Sequence, residues 1–305
     1  MQSRYISKLM ELAENDNRIL HLIADSGTGY DEMFRRNFPN QIYNFGIAEE
    51  NMVAAAAGLA TTGLIPFVYT SGAFLVYRAL EFIRNDICFQ NLNVKIVGMG
   101  CGLSWSSLGP THHTTEELSI LRAIPNLKIL SPATPYEVGA CLELAYKEDG
   151  PVYIRIGMNK EQEFFDENHK VSFGVNEEIK NGKDVVIFST GAILEEVMNA
   201  SKLLKEKGID ATIVNVVSIK PFDVEGTINV SRNAKLVVSV EEHNVIGGLG
   251  SIISDSFADK GISKKILKIG LNDKFSDGYG SYADVKRRNG LDAISIAELI
   301  ERKLH

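Results

Sequence analysis

Four places in this chain combine residue type and setting in a way that could do chemistry. Glu49 follows Gly46-Ile47-Ala48 at the head of a run of small residues. A carboxyl held there can give and take a proton. It is also favourable simply as a first-turn helix carboxylate, a role Glu50 fills equally well. His112 and His113 end the run Gly109-Pro110-Thr111-His112-His113 and can donate hydrogen bonds or carry protons near neutral pH. Adjacent side chains point apart, so this pair is not read as a metal site. Arg155, in Tyr153-Ile154-Arg155-Ile156-Gly157, offers a planar guanidinium that could clamp a phosphate or carboxylate. Asp25 opens the Gly-rich turn Asp25-Ser26-Gly27-Thr28-Gly29.

Each of these places is read as lying just past an apolar segment of strand character, where ligand sites of open α/β sheets gather. Strands are predicted at Ile19–Ala24, Gln41–Phe45, Pro66–Tyr69 and Val94–Met99. Between them lie a small-residue helix from Ala48 to Ala60 and a longer one from Gly72 to Phe89. In the longer helix Phe74, Leu75, Ala79, Phe82, Ile83 and Ile87 recur at helical spacing. By spacing alone Phe74 and Tyr77 read as packing on that helix. From Gly157 to Lys183 the pattern turns polar and charge-rich, and strands resume at Asp184–Ser189, Asp210–Val217 and Lys235–Val240. The fold class is therefore α/β, two domains at 1–165 and 183–305 joined by a linker at 166–182, each a largely parallel sheet covered by helices.

Composition narrows the function classes. The chain has 305 residues, 45% of them hydrophobic and 23% charged, which suits an ordinary folded protein of two domains. A formal charge of -7 argues against a nucleic-acid or anionic-membrane surface. No stretch reads as a membrane span or a secretory signal, so a cytoplasmic location is expected. Cys88, Cys101 and Cys141 are odd in number and without metal-ligand spacing, and read as reduced, packed thiols. Gly247-Gly248-Leu249-Gly250 lacks the full dinucleotide pattern and reads as a tight turn before a helix. His21, inside an apolar strand, reads as a satisfied core histidine.

Several motifs, in order, give the chain a resemblance to a known family. They are Asn44-Phe45-Gly46-Ile47-Ala48-Glu49-Glu50-Asn51-Met52, Ala73-Phe74-Leu75 with Tyr77, Asn91-Leu92-Asn93-Val94-Lys95, Gly109-Pro110-Thr111-His112-His113, Leu121 to Leu127, Ser131-Pro132-Ala133, Ser218-Ile219-Lys220-Pro221 and Glu241 to Gly250. Over nearly its whole length the chain resembles the C-terminal half of transketolases, in the split form whose halves are separate chains. The resemblance implies a pyrimidine-binding domain followed by a transketolase C-terminal domain, and transfer of a two-carbon ketol unit from a ketose phosphate to an aldose.

It also implies roles for particular residues. Glu49 would exchange a proton with the aminopyrimidine of thiamine diphosphate in an apolar neighbourhood, with Phe74 stacking on that ring, Tyr77 as a second aromatic and Asp25 near the thiazolium. His112 would hydrogen-bond substrate with His113 beside it, and Arg155, with Arg4 as a second arginine, would bind the sugar phosphate. Three departures stand out. Where the family carries an acid before the Gly-Pro-Thr-His loop this chain has Leu108, which implies an altered sugar hydroxyl on a wall shared with Trp105. Leu80 likewise stands where relatives often carry another aromatic. The family holds Mg2+ and the diphosphate through a Gly-Asp-Gly segment, which is absent here. A separately encoded N-terminal transketolase subunit, in a heterotetramer, is therefore expected to hold them. Competing expectations are a deoxyxylulose-phosphate-synthase-like condensation, the beta subunit of a 2-oxo-acid dehydrogenase first component, or a non-catalytic scaffold subunit.

Overall fold

The computed structural model describes residues 1–25 and 29–304. Ser26, Gly27 and Thr28, part of the turn that Asp25 opens, lie outside the described residues. The chain divides into two compact units, Met1–Cys101 with Leu121–Val171 and Gly102–Ile120 with Ser172–His305.

In the first unit, helix α1 (Gln2–Asn15) leads into β1 (Ile19–Ile23), followed by α2 (Gly29–Asn37), β2 (Ile42–Asn44), α3 (Glu49–Ala60) and β3 (Ile65–Ser71). A short α4 (Leu80–Phe82), β4 (Lys95–Met99), β5 (Lys128–Leu130), α6 (Pro135–Lys147) and β6 (Val152–Ile156) follow, and α5 (Glu117–Arg122), which lies between β4 and β5 in sequence, has its first four residues in the second unit. Six of these strands lie parallel in the order β5-β6-β4-β3-β1-β2. All residues of β1, β3, β4 and β6 are buried, as expected of strands covered on both faces. The chain leaves β1 for β2 on one side and then returns to β3 on the other. The loops after β1 and β3 therefore flank a switch point, the place where open sheets leave a crevice at their strand C-termini.

His21 sits in the middle of β1 and is fully buried. Its Nε2 lies 3.2 Å from the Asp31 carboxylate of α2 and its Nδ1 lies 3.4 Å from the Tyr5 hydroxyl. Burial pushes its pKa down, partly offset by Asp31. It is the satisfied core histidine that its apolar setting predicts.

Lys95, at the start of β4, is also buried, with its ammonium donating to the carbonyls of Glu148 and Gly150 at 2.8 Å each. Burial pushes its pKa down from 10.5 to about 7, against the pull of Glu148 and Asp149. Between those values the unfolded chain holds this proton and the folded chain does not, so the Lys95 contribution to stability rises with pH across that interval. Lys95→Met removes this rise. The variant's stability relative to wild type, from urea midpoints, should be highest at about pH 7 and decline by about pH 10; a difference independent of pH would refute the assignment.

In the second unit, β7 (Glu177–Lys180), β8 (Val185–Thr190), α7 (Leu194–Glu206), β9 (Ala211–Asn215), β10 (Ser218–Lys220), α8 (Val224–Ser231), β11 (Leu236–Asn244), α9 (Leu249–Asp259), β12 (Ile266–Leu271), α10 (Tyr282–Arg288) and α11 (Ala293–Leu304) follow in order. The sheet runs β12-β11-β8-β9-β7, parallel except for the antiparallel edge strand β7. Two features depart from the linear reading. Residues 177–180, inside the stretch read as linker, form that edge strand; with no residue of it buried, it lacks the apolar signature of the other strands. Residues 102–120, placed by sequence order within the first domain, pack in the second unit. The Gly247-Gly248-Leu249-Gly250 turn is a helix start occupied from within. The Glu241 carboxylate accepts the N–H groups of Leu249 at 2.7 Å and Gly250 at 2.8 Å, satisfying the first turn of α9.

Candidate active site

The first unit gathers a carboxyl, a cation and an aromatic ring at the strand C-termini. Asn44 ends β2, and its Oδ1 accepts the N–H of Asp25 at 3.0 Å and of Gly46 at 2.9 Å, while its Nδ2 reaches Asp25 Oδ1 at 3.3 Å. Asp25 is exposed and left-handed at φ 48°, a conformation Asp tolerates better than most residues. Gly46 turns the chain at φ 70°, and α3 starts at Glu49 with no side-chain cap from Ala48.

Glu49 is 2% exposed. Its Oε2 accepts a hydrogen bond from Arg78 Nη1 at 2.6 Å, while Oε1 accepts none among the described residues. The guanidinium of Arg78 also lies over the Phe74 ring, 5.1 Å from its centroid. The apolar neighbourhood expected around Glu49 is thus corrected to an ion pair. Arg78 carries no role in the linear reading, because its partner Glu49 lies 29 residues away in sequence and only the fold brings them together. The Phe74 to Arg78 spacing, an aromatic four residues before a cation, is the one available local signal.

The helix read as continuous from Gly72 to Phe89 is instead two π-helical turns, Phe74–Arg78 and Ile83–Cys88, flanking α4. A π turn takes up an extra residue, so side-chain directions shift relative to α-helical spacing. Leu75, Val76, Ala79, Ile83 and Ile87 stay buried, whereas Phe82 does not. Phe74 is half-buried, Tyr77 is 38% exposed and Leu80 is half-buried.

Arg155 is the penultimate residue of β6, opposite Gly98 of β4, and is 4% exposed. It lies within the strand rather than in the loop after it, because the apolar run around it is long enough to carry the strand to Ile156. Arg4 lies on α1 with its guanidinium carbon 5.3 Å from the Tyr136 ring centroid. It lines a cavity of about 510 Å3 with Lys8, Glu143 and His169.

In the second unit, the loop from 102 to 120 carries the two histidines. Gly102 and Thr114 exchange both backbone hydrogen bonds at 3.0 Å, closing its base. His112 is half-buried, with Nδ1 2.9 Å from the Thr111 hydroxyl and its ring edge-on to Trp105 at 6.4 Å. His113 is 2% exposed, and its Nδ1 makes a short contact with the Ser276 hydroxyl. The two rings take different partners, as adjacent side chains should. Burial pushes the His113 pKa down, against the Trp105 carbonyl and Glu116, which favour the charged ring. Leu108 is 42% exposed. Ser276, 163 residues from His113, carries no sequence signal.

The three cysteines are free and buried. Among the described residues, no helix is long and apolar enough to cross a membrane.

Comparison with known proteins also divides the chain in two, with residues 102–120 inside the first match. Residues 4–160 match the transketolase pyrimidine-binding domain and residues 174–296 the transketolase C-terminal domain. The chain is 32% identical to one subunit of an apulose-4-phosphate transketolase from Actinobacillus succinogenes, covering 96% of this chain and 95% of that protein. It is 34% identical to a 1-deoxy-D-xylulose-5-phosphate synthase from Syntrophotalea carbinolica, covering 98% of this chain but only 47% of that longer protein. Among solved structures, one described as a split gene transketolase, inactive beta4 tetramer, superposes with a TM-score of 0.89 at 34% identity, covering 99% of this chain and 97% of that one.

Proposed function

The chain belongs to the transketolase family, and on that premise we propose that it supplies the pyrimidine-binding and C-terminal half of a two-chain enzyme. That enzyme moves a two-carbon ketol unit from a ketose phosphate to an aldose. The observation that carries this reading is the grouping of a buried Glu49 carboxyl and the Phe74 ring on one guanidinium. An aminopyrimidine needs a carboxyl for its ring nitrogen and a flat aromatic face, and both lie here within reach of a single side chain.

Thiamine diphosphate, when bound, would supply a thiazolium carbon whose proton is acidic enough to be removed, which makes that carbon nucleophilic toward a carbonyl. The chain's own residues do the rest. Glu49 holds and returns a proton at Oε1 while Arg78 keeps Oε2. Phe74 would stack on the pyrimidine and Tyr77 would extend the aromatic wall. Asp25 would stand near the thiazolium. His112 and His113 hydrogen-bond the sugar, and Arg155 takes its phosphate. Leu108, which cannot accept a hydrogen bond, favours a sugar with a missing or inverted hydroxyl at that wall. The similarity to a relative named for apulose 4-phosphate supports a specialised sugar.

The relatives that this chain covers almost end to end are named as one subunit of a transketolase or as a split-gene transketolase, which supports a separately encoded N-terminal subunit, in a cytoplasmic heterotetramer, that would hold the Mg2+ and the diphosphate. The description of a similar split-gene chain as an inactive tetramer supports the need for that partner. Calorimetric titration of thiamine diphosphate with Mg2+ into the chain alone, and into its mixture with the partner, tests this. Binding and ketol transfer are expected only in the mixture. Turnover by the chain alone would refute the two-chain reading. Binding in neither would return the scaffold reading, and decarboxylating turnover of pyruvate would move the chain to the synthase chemistry of its longer relative.

A further inference from the structure

The histidine loop is held by the unit it packs in at successive points. The N–H of Gly280 donates to the Ser106 carbonyl at 3.1 Å, that of Asn244 to the Thr115 carbonyl at 2.7 Å, and that of Ser119 to His243 Nε2 at 3.4 Å. Gly109, at φ 76°, lets the Tyr279 ring approach so closely that a Cβ there would meet it at 2.2 Å. The contact that reaches a functional group is the one between Ser276 Oγ and His113 Nδ1.

Both side chains are buried, Ser276 at 5% exposure and His113 at 2%. Among the described residues, Nδ1 is the only hydrogen-bond partner of the Ser276 hydroxyl. If the ring donated from Nδ1, the hydroxyl proton would be left buried without an acceptor, which is costly. If the hydroxyl donates, its proton is satisfied and the ring proton sits on Nε2. Nε2 is itself buried and closes no hydrogen bond among the described residues, so it is equipped for a group the chain does not supply. The Trp105 carbonyl, near enough to favour a charged ring, closes no hydrogen bond with Nε2.

We propose that Ser276 is a positioning residue that fixes His113 as the Nε2–H tautomer, so that His113 presents a neutral N–H donor to an oxygen of the sugar. The substrate half of this assignment rests on the ketol-transfer reading; the tautomer half does not. A neutral donor suits an oxygen that gains negative charge as its carbonyl is attacked, because it stabilises that charge without first giving up its proton. His112, turned toward Thr111 and Trp105, does not share this tether.

Two measurements test it. In the full chain labelled with 15N-histidine, two-bond proton–nitrogen spectra read each ring's tautomer with no ligand present, and His113→Asn identifies the relevant signals. Nε2–H is expected in wild type and in Ser276→Thr, which keeps the hydroxyl, and Ser276→Ala should shift the ring toward Nδ1–H. An Nδ1–H ring in wild type, or a ring unmoved by Ser276→Ala, overturns the proposal. In the assembled two-chain enzyme supplied with a ketose phosphate, His113→Asn should lower kcat about 100-fold and Ser276→Ala about 10-fold at little-changed KM, with Ser276→Thr restoring it. A rise in KM at unchanged kcat would overturn the donor role. An assembled wild-type enzyme that turns over no sugar would overturn the donor half along with the proposed function, and the spectra would still decide the tautomer half.

Discussion

Glu49→Gln is expected to lower ketol transfer by about 10³-fold in the assembled enzyme, within the ~10²- to 10⁴-fold range of general acid–base catalysis. The substitution is close to isosteric, and the amide oxygen can keep the hydrogen bond that Oε2 accepts from Arg78 at 2.6 Å. What it removes is the ability of the side chain to give and take a proton. The loss should therefore fall on kcat, with little change in the KM of the sugar, because no sugar-binding role is assigned to Glu49. Thermal unfolding of the variant should stay close to that of wild type, since the group remains buried and bonded. Steady-state kinetics on the two-chain enzyme decides the matter. Wild-type turnover by Glu49→Gln would mean that the carboxyl is only a first-turn helix residue.

Arg78→Ala is expected to destabilise the chain by about 2 kcal/mol, through Glu49 rather than through its own packing. Removing the guanidinium leaves a carboxylate that is 2% exposed with no hydrogen-bond partner among the described residues. A fully buried pair broken in this way would cost about 3–5 kcal/mol. The smaller figure follows because the Arg78 side chain is itself 40% exposed, so water screens the pair and can reach into the space it leaves. The double variant Glu49→Gln with Arg78→Ala should recover most of the loss, since a neutral amide tolerates the site better than an unpaired charge. Urea unfolding of the two singles and the double forms the cycle that isolates this coupling. An equal cost of Arg78→Ala in the wild-type and Glu49→Gln backgrounds would show that the two residues do not depend on each other.

The particular residues show where linear reading succeeds. The strands around His21, Val68, Val97 and Ile213 were legible because both faces of each are covered, leaving near-continuous apolar runs. Glu49 and Arg155 were legible as candidates because they stand at or near the ends of such runs, and His112 because it closes the Gly109-Pro110-Thr111 run. The Gly247 to Gly250 turn was legible as structure rather than as a ligand loop, and Glu241 gives the physical reason by filling that helix start.

Other features needed the folded chain. The π turns around Phe74 and Ile83 leave the apolar residues at spacings that an α-helix also allows, so periodicity could not tell the two apart. Residues 102–120 follow β4 in sequence yet pack in the unit built from residues 172 onward, because Ser106, Thr115 and Ser119 find their hydrogen-bond partners there.

By itself, then, the sequence determined the α/β class, most strand positions and the residue types able to carry proton transfer and anion binding. These depend on local patterns of burial and on side-chain chemistry, which a linear chain displays. Only the tertiary structure decided which groups touch them: Arg78 with Glu49, and Ser276 with His113. Those pairs join residues 29 and 163 positions apart, and no local spacing encodes a contact made by separate elements of the fold.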